Sequence, residues 1–125
     1  MIHGIGTDIV AVARMADYWQ RHGERGLEKM LAPEEREDCR TSLDPARFLA
    51  KRFAAKEALG KALGTGVRAP VLLPEIAVGH DELGKPCFSY SPKLAAHFAE
   101  RGLTAHLSIS DEQDYAVAFV ILEKP

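Results

Sequence analysis

The sequence predicts an α+β fold with a mainly antiparallel sheet and one long central helix. The order of signals along the chain is strand, helices, strands, helix, strands, not a strict alternation of strand and helix. The last two strand signals, 103–110 and 115–122, are separated only by the polar Asp111-Glu112-Gln113-Asp114, which favours antiparallel pairing. With 125 residues and 46% hydrophobic content, the chain is long enough for one compact domain with a real core and too short for two ordinary ones.

Taken in order, residues 2–10 alternate as a strand, with His3, Ile5, Thr7 and Ile9 on one face and Gly4, Gly6 and Asp8 on the other. That second face is bare except for a carboxylate. A helical stripe of Val12, Met15, Ala16 and Trp19 follows over 11–22, with Arg14, Tyr18, Arg21 and Arg25 near another face. Residues 27–31 read as a short helical piece. Pro33-Glu34-Glu35 opens a further turn, with proline near the first helical position and acids in the first turn. Residues 41–43 form a loop, and Asp44-Pro45 starts the longest helix, 46–63, which ends at Gly64-Thr65-Gly66. Strands at 74–78 and 86–91 are joined through 81–84 as a hairpin, and Ser91-Pro92 caps a helix that stops at Gly102. There is no low-complexity segment, heptad pattern or fixed-period repeat.

Composition narrows the function classes. Sixteen basic against 18 acidic residues give a net charge of -2, so the molecule as a whole is not committed to nucleic acid or to an anionic membrane. Any phosphate binding has to be local. Cys39 and Cys87 lie far apart and outside any CxxC pattern, which argues against structural zinc and a disulfide scaffold and fits a reducing cytoplasm. No apolar run reaches the roughly 18 residues of a membrane span, and the N-terminus lacks a signal-peptide pattern. The expectation is a protein neither exported nor membrane-spanning.

Asp8 is the first candidate for chemistry. Aspartate is disfavoured inside strands, and the two glycines on its face would leave space for an ion or ligand. The same residue would equally cap the helix that follows. On the long helix, Phe53, Glu57, Lys61 and Gly64 recur at three-to-four-residue spacing, which sets a carboxylate and an ammonium on one face. As an ordinary i,i+4 pair they would contribute only about 0.2–0.5 kcal/mol. Gly60 costs a helix interior roughly 0.8–1 kcal/mol relative to alanine and so asks for a reason, such as a close approach. From Arg47 to Lys61 the helix carries Arg47, Lys51, Arg52, Lys56 and Lys61 against Glu57 alone, a basic stretch suited to a phosphate-bearing ligand. Further on, His106, Ser108 and Ser110 share a strand face, with His106 either a ligand contact or an exposed histidine without a role.

Two carboxylates with cations nearby form an inventory for magnesium rather than zinc, completed by water and substrate phosphates. Phosphoryl-group chemistry follows naturally. No G-x-x-x-x-G-K-[ST] or G-x-G-x-x-G motif is present, which argues against P-loop and Rossmann modes of nucleotide binding.

The segments Gly4-Ile-Gly-Thr-Asp-Ile-Val10, Arg52-Phe-Ala-Ala-Lys-Glu-Ala-Leu-Gly-Lys61 followed by Gly64-Thr-Gly66, and Gly84-Lys-Pro86 occur in one order over nearly the full chain. With His106-Leu-Ser-Ile-Ser and the Tyr115-Ala-Val-Ala strand, this set resembles the holo-acyl-carrier-protein synthases. The resemblance implies a single 4'-phosphopantetheinyl transferase-like domain over residues 1–125 that moves 4'-phosphopantetheine from coenzyme A to a serine of apo-acyl carrier protein, for fatty acid biosynthesis. It further implies that Asp8 and Glu57 hold Mg2+, that Glu57 and Lys61 serve catalysis, and that Arg52, Lys61, Gly64 and His106 bind coenzyme A. The general base, Glu57 or a metal-bound water, stays open. The resemblance also implies a homotrimer with active sites between subunits, Arg52 coming from the neighbour of the subunit that supplies Asp8, Glu57 and Lys61. Arg14, Arg21 and Arg25 would face an acidic carrier protein. Many relatives have a second histidine where this chain has Asp111, a position that the sequence gives no role. Two alternatives use the same residues: a magnesium-dependent nucleotide hydrolase, and a carrier-protein binding module without activity.

Overall fold

In the computed structural model, which describes residues 1–125, strand β1 (Ile2–Ala11) runs directly into helix α1 (Val12–Met30). There follow α2 (Pro33–Arg40), α3 (Pro45–Leu63), the hairpin strands β2 (Ile76–His80) and β3 (Pro86–Tyr90), α4 (Pro92–Arg101), β4 (Thr104–Asp111) and β5 (Tyr115–Glu123). The main sheet has the order β1-β5-β4 and is antiparallel throughout, and β2-β3 form a separate two-stranded ribbon.

Register decides which side chains meet the core. Asp8 lies opposite Ala118, which lies opposite Ile109, and Thr7, Phe119 and Ser108 form the neighbouring row. Because side chains alternate, Gly4, Gly6, Asp8 and Val10 share one face with Ala116, Ala118, Val120, Leu122 and Leu107. Helix α3 covers that face with its own small residues, and Ala54, Ala55, Ala58, Val120 and Leu122 are wholly buried. A Cβ on Gly4 would stand 2.0 Å from the carbonyl oxygen of Ala62, and one on Gly6 would stand 2.0 Å from that of Ala58. The bare strand face is therefore the seat of a helix, not free space for a ligand. Gly60 marks a second close approach, since its Cβ would meet Gly66 at 2.8 Å and the Val67 amide at 2.9 Å.

The helix ends follow the residues expected to set them. The Asp44 side chain accepts from the Arg47 amide at 3.1 Å and Ser91 Oγ accepts from the Leu94 amide at 3.3 Å. Gly64 and Gly102 close α3 and α4 with left-handed φ of 82° and 65°. Most other boundaries shift by a single residue, and the turn opened by Pro33 extends into the helix Pro33–Arg40; two differences have a clear backbone cause. The pieces expected at 11–22 and 27–31 belong to one helix kinked at Gly23, whose φ of 54° and ψ of -136° leave the helical region. The first hairpin strand begins at Ile76, not at residue 74, because Leu73–Glu75 takes a 3-10 turn with Pro74 inside it.

Candidate active site

Close packing of β1 on α3 brings Asp8 up to the last turns of the helix. Lys61 Nζ donates to Asp8 Oδ1 and to the Thr7 carbonyl, both at 3.0 Å. Lys61 thus turns to the strand, although it also lies near enough to Glu57 for its charge to favour the ionised carboxylate. The Glu57 carboxyl titrates above its ordinary range, chiefly because burial penalises its charge and next because the Asp8 carboxylate is close. Lys61 and Arg14 oppose that shift. Two carboxylates near enough to feel each other's charge at a half-buried seam are a suitable arrangement for a hard cation.

The donor set fits magnesium on this ground. Both Asp8 and Glu57 are carboxylate oxygen donors, the kind that a hard cation such as magnesium takes in small number. A cation held by Asp8 and Glu57 would take its remaining ligands from water and from phosphate oxygens.

Arg14 sits beside this seam. Its guanidinium lies over the Phe53 ring, 5.3 Å from the centroid. Arg14, Arg21, Tyr18, Met30 and Phe53 line a groove of about 470 Å3 between α1 and α3. Arg25, placed beyond the Gly23 kink, is not part of that groove.

The other expected ligand groups lie elsewhere in the chain. Arg52 lines a cavity of about 430 Å3 formed by the first half of α3, the β2-β3 hairpin and the end of β4, together with Phe48, Lys51, Gly84 and Asp111. None of Asp8, Glu57 and Lys61 borders it. His106 is on the outer face of the sheet, its Nε2 3.0 Å from Glu123 Oε1. Gly64 is exposed at the end of α3 with open space around its Cα. A single chain therefore assembles the Asp8, Glu57 and Lys61 group and the Arg52 cavity as separate places, with His106 at neither.

The basic stretch on α3 is not a row of free cations. Lys56 is wholly buried and donates to Glu35 Oε1 at 2.6 Å and to the carbonyls of Met30 and Leu73. Arg47 is engaged with Asp44, with Asp111 and with the carbonyls of Glu112 and Gln113. Asp111, which the sequence left without a role, pairs with Arg47 at 3.2 Å and approaches Lys51 at 3.5 Å, so it ties the β4-β5 turn to the start of α3. A signal for Lys56 was present: it falls seven residues after Leu49 and three before Leu59, on the apolar stripe of the helix. Nothing local marks Glu35 as its partner.

Residues 4–120 match the 4'-phosphopantetheinyl transferase superfamily. A curated holo-[acyl-carrier-protein] synthase of Dechloromonas aromatica is 62% identical over 123 residues, covering 98% of each chain. The chain belongs to the holo-[acyl-carrier-protein] synthase family of transferases. Among solved structures, the synthase of Neisseria meningitidis matches with a TM-score of 0.94 at 46% identity, over 99% of this chain and 100% of that one. The synthase of Bacillus anthracis in complex with CoA (3',5'-ADP) matches with a TM-score of 0.83 at 35% identity, over 100% of this chain and 99% of that one. Similarity over the full length means that the whole fold is shared with these relatives.

Proposed function

We propose that the enzyme transfers 4'-phosphopantetheine from coenzyme A to a serine of apo-acyl carrier protein with magnesium, releasing adenosine 3',5'-bisphosphate and readying the carrier for fatty acid biosynthesis. The observation that carries this reading is the Asp8, Glu57 and Lys61 group: two electrostatically coupled carboxylates and an ammonium at one seam, in a chain 62% identical to a curated synthase. Asp8 and Glu57 would hold the magnesium, which when bound supplies charge neutralisation at the diphosphate. Lys61 presents its ammonium to the phosphate oxygens on which negative charge grows. In the transfer, the serine oxygen bonds to the β-phosphorus, that atom's bond to the adenosine bisphosphate oxygen breaks, and the hydroxyl proton is released.

Coenzyme A would place its nucleotide end in the cavity that holds Arg52, with Gly64 and His106 completing the site. Because Arg52 lies apart from Asp8 within one chain, we assign it to a neighbouring subunit. A homotrimer is supported by the outer face of the main sheet, where Ile5 and Ile9 are 60% and 61% exposed and Phe119 is 44% exposed beside Val117. Apolar rows of this kind mark contact surfaces. The groove lined by Arg14 and Arg21 is the assigned docking surface for an acidic carrier. Both cysteines are free, in keeping with a reducing cytoplasm, and no helix is long and apolar enough to cross a membrane.

The test is intact-mass measurement of purified apo-acyl carrier protein after incubation with the enzyme, coenzyme A and magnesium. The expected result is a gain of one phosphopantetheine group, absent with chelator and absent with Glu57→Ala. No gain on a competent carrier would refute the assignment and favour a hydrolase or a binding module.

A further inference from the structure

The cavity assigned to the nucleotide end contains three cations, and they differ in what they have left to give. Arg47 spends its donors on Asp44, Asp111 and two backbone carbonyls. Lys51 faces Asp111 at 3.5 Å. Arg52 donates one N–H, from Nη1 to Glu35 Oε2 at 3.1 Å, and its guanidinium lies over the Phe48 ring at 4.3 Å. A guanidinium has five N–H donors in a rigid fork. Arg52 therefore retains most of its donors for phosphate oxygens, with its side chain only 11% exposed.

The group that holds it is a completely satisfied buried carboxylate. Glu35 Oε1 accepts from the Ala32 amide at 2.9 Å and from Lys56 Nζ at 2.6 Å. Glu35 Oε2 accepts from the Val78 amide at 2.9 Å and from Arg52. These bonds join α2, α3 and β2 at one point, and Val78 is itself part of the cavity wall. The dependence is one-sided. Without Arg52, the carboxylate keeps two amides and the Lys56 ammonium; without Glu35, Arg52 keeps only the face of Phe48. Lys56 also balances the charge of Glu35, so the pairing leaves the charge of Arg52 available to an anion.

We infer that Glu35 is a positioning residue that, with Phe48, fixes the Arg52 guanidinium for the nucleotide end of coenzyme A; this rests on the assignment of that ligand to the Arg52 cavity. Ordering one long side chain in advance spares that ordering at binding. Its loss corresponds to roughly a three- to tenfold weaker interaction. The effect belongs to coenzyme A and not to the carrier protein or to the transfer step.

The experiment is steady-state kinetics with coenzyme A and carrier protein varied in turn, for Arg52→Ala, Glu35→Gln, Phe48→Leu and the doubles of each with Arg52→Ala. Glu35→Gln and Phe48→Leu are expected to raise the KM for coenzyme A about three- to tenfold, with kcat and the carrier KM essentially unchanged. In the Arg52→Ala background neither should raise it further, because the side chain they orient is gone. If Glu35→Gln fails to fold beside the buried Lys56, Phe48→Leu carries the test. An unchanged coenzyme A KM in Arg52→Ala would overturn the ligand assignment and the inference with it. A raised KM there, with Phe48→Leu unchanged or with equal effects in the double, would overturn the positioning role alone.

Discussion

Gly6→Ala tests whether the seam that carries Asp8 depends on backbone contact between β1 and α3. The added Cβ would stand 2.0 Å from the Ala58 carbonyl oxygen, 2.7 Å from the Ala62 amide and 3.0 Å from Lys61 Cβ. To bring the shortest contact even to 3.0 Å, strand and helix must part by about 1 Å. Two of the three obstacles are backbone atoms, which no rotamer change can move. Overpacking of this kind costs typically 1–3 kcal/mol, and the rigidity on both sides sets the expected loss near the upper end, about 3 kcal/mol. For a domain of this size that is a fall in Tm of about 12 °C, or a urea midpoint lower by about 1.5 M at an m-value of about 2 kcal/mol/M. The Lys61 to Asp8 bond of 3.0 Å spans the same seam. A shift of about 1 Å there is expected to lower turnover on the order of a hundredfold in protein that is still folded. Gly79→Ala serves as the control, since nothing lies within 4 Å of its added Cβ. Urea unfolding and initial rates at a temperature where both variants are folded would measure the two effects. A Gly6→Ala protein within about 0.5 kcal/mol of the parent and within threefold in turnover would refute the close-packing argument.

Asp8→Asn should lower the Glu57 pKa, because the neighbouring carboxylate is one cause of its elevation; an NMR titration of the metal-free protein reads this directly, and an unmoved Glu57 would show that burial acts alone. Lys56→Met leaves Glu35 without its buried counter-ion and should cost about 3–5 kcal/mol of stability by urea unfolding. Burial pushes Lys56 down to about 8, against the attraction of Glu35, so between about pH 8 and the ordinary lysine value the unfolded chain binds more protons than the folded one. This group's contribution to unfolding free energy therefore rises with pH through that window, and the difference between the pH-stability profiles of parent and Lys56→Met should show that rise. Mixing Arg52→Ala, impaired at low coenzyme A, with inactive Lys61→Ala after dissociation and reassembly should raise the activity at low coenzyme A above that of Arg52→Ala alone if the site is shared between subunits, because some sites then receive both native residues. A mixture no more active than Arg52→Ala alone would place each site within one chain. Asp111→Asn, which removes the carboxylate charge facing Lys51 and Arg47 at the cavity while Arg47 keeps Asp44 and two carbonyls, is expected to lower the KM for coenzyme A a few-fold while changing stability by about 1 kcal/mol or less, as for exposed pairs.

Local chemistry determined much of this protein. The alternation of residues 2–10, the Asp44 and Ser91 caps and the glycines that stop α3 and α4 are short-range features, and each acts through bonds within a few residues. The spacing of Glu57 and Lys61 likewise follows from helix geometry. Those features were sufficient to read an α+β order, to raise Asp8, Glu57 and Lys61 as candidates, and to find a family resemblance that the comparisons bear out.

What required the tertiary structure is everything that depends on which distant segment fills a neighbouring space. Gly4 and Gly6 read as room for an ion or ligand until α3 is set against β1. Lys56 and Arg52 count equally as cations in the sequence, yet one is wholly buried against Glu35 and the other points along a cavity wall, because α2 and β2 bring Glu35 and the Val78 amide to the same point. Asp111 acquires Arg47, 64 residues away, as a partner only through the pairing of β4 with β5 and their packing on α3. A sequence specifies its turns and faces over a few bonds, whereas a buried charge is defined by the groups that replace its water, and those are chosen by the fold.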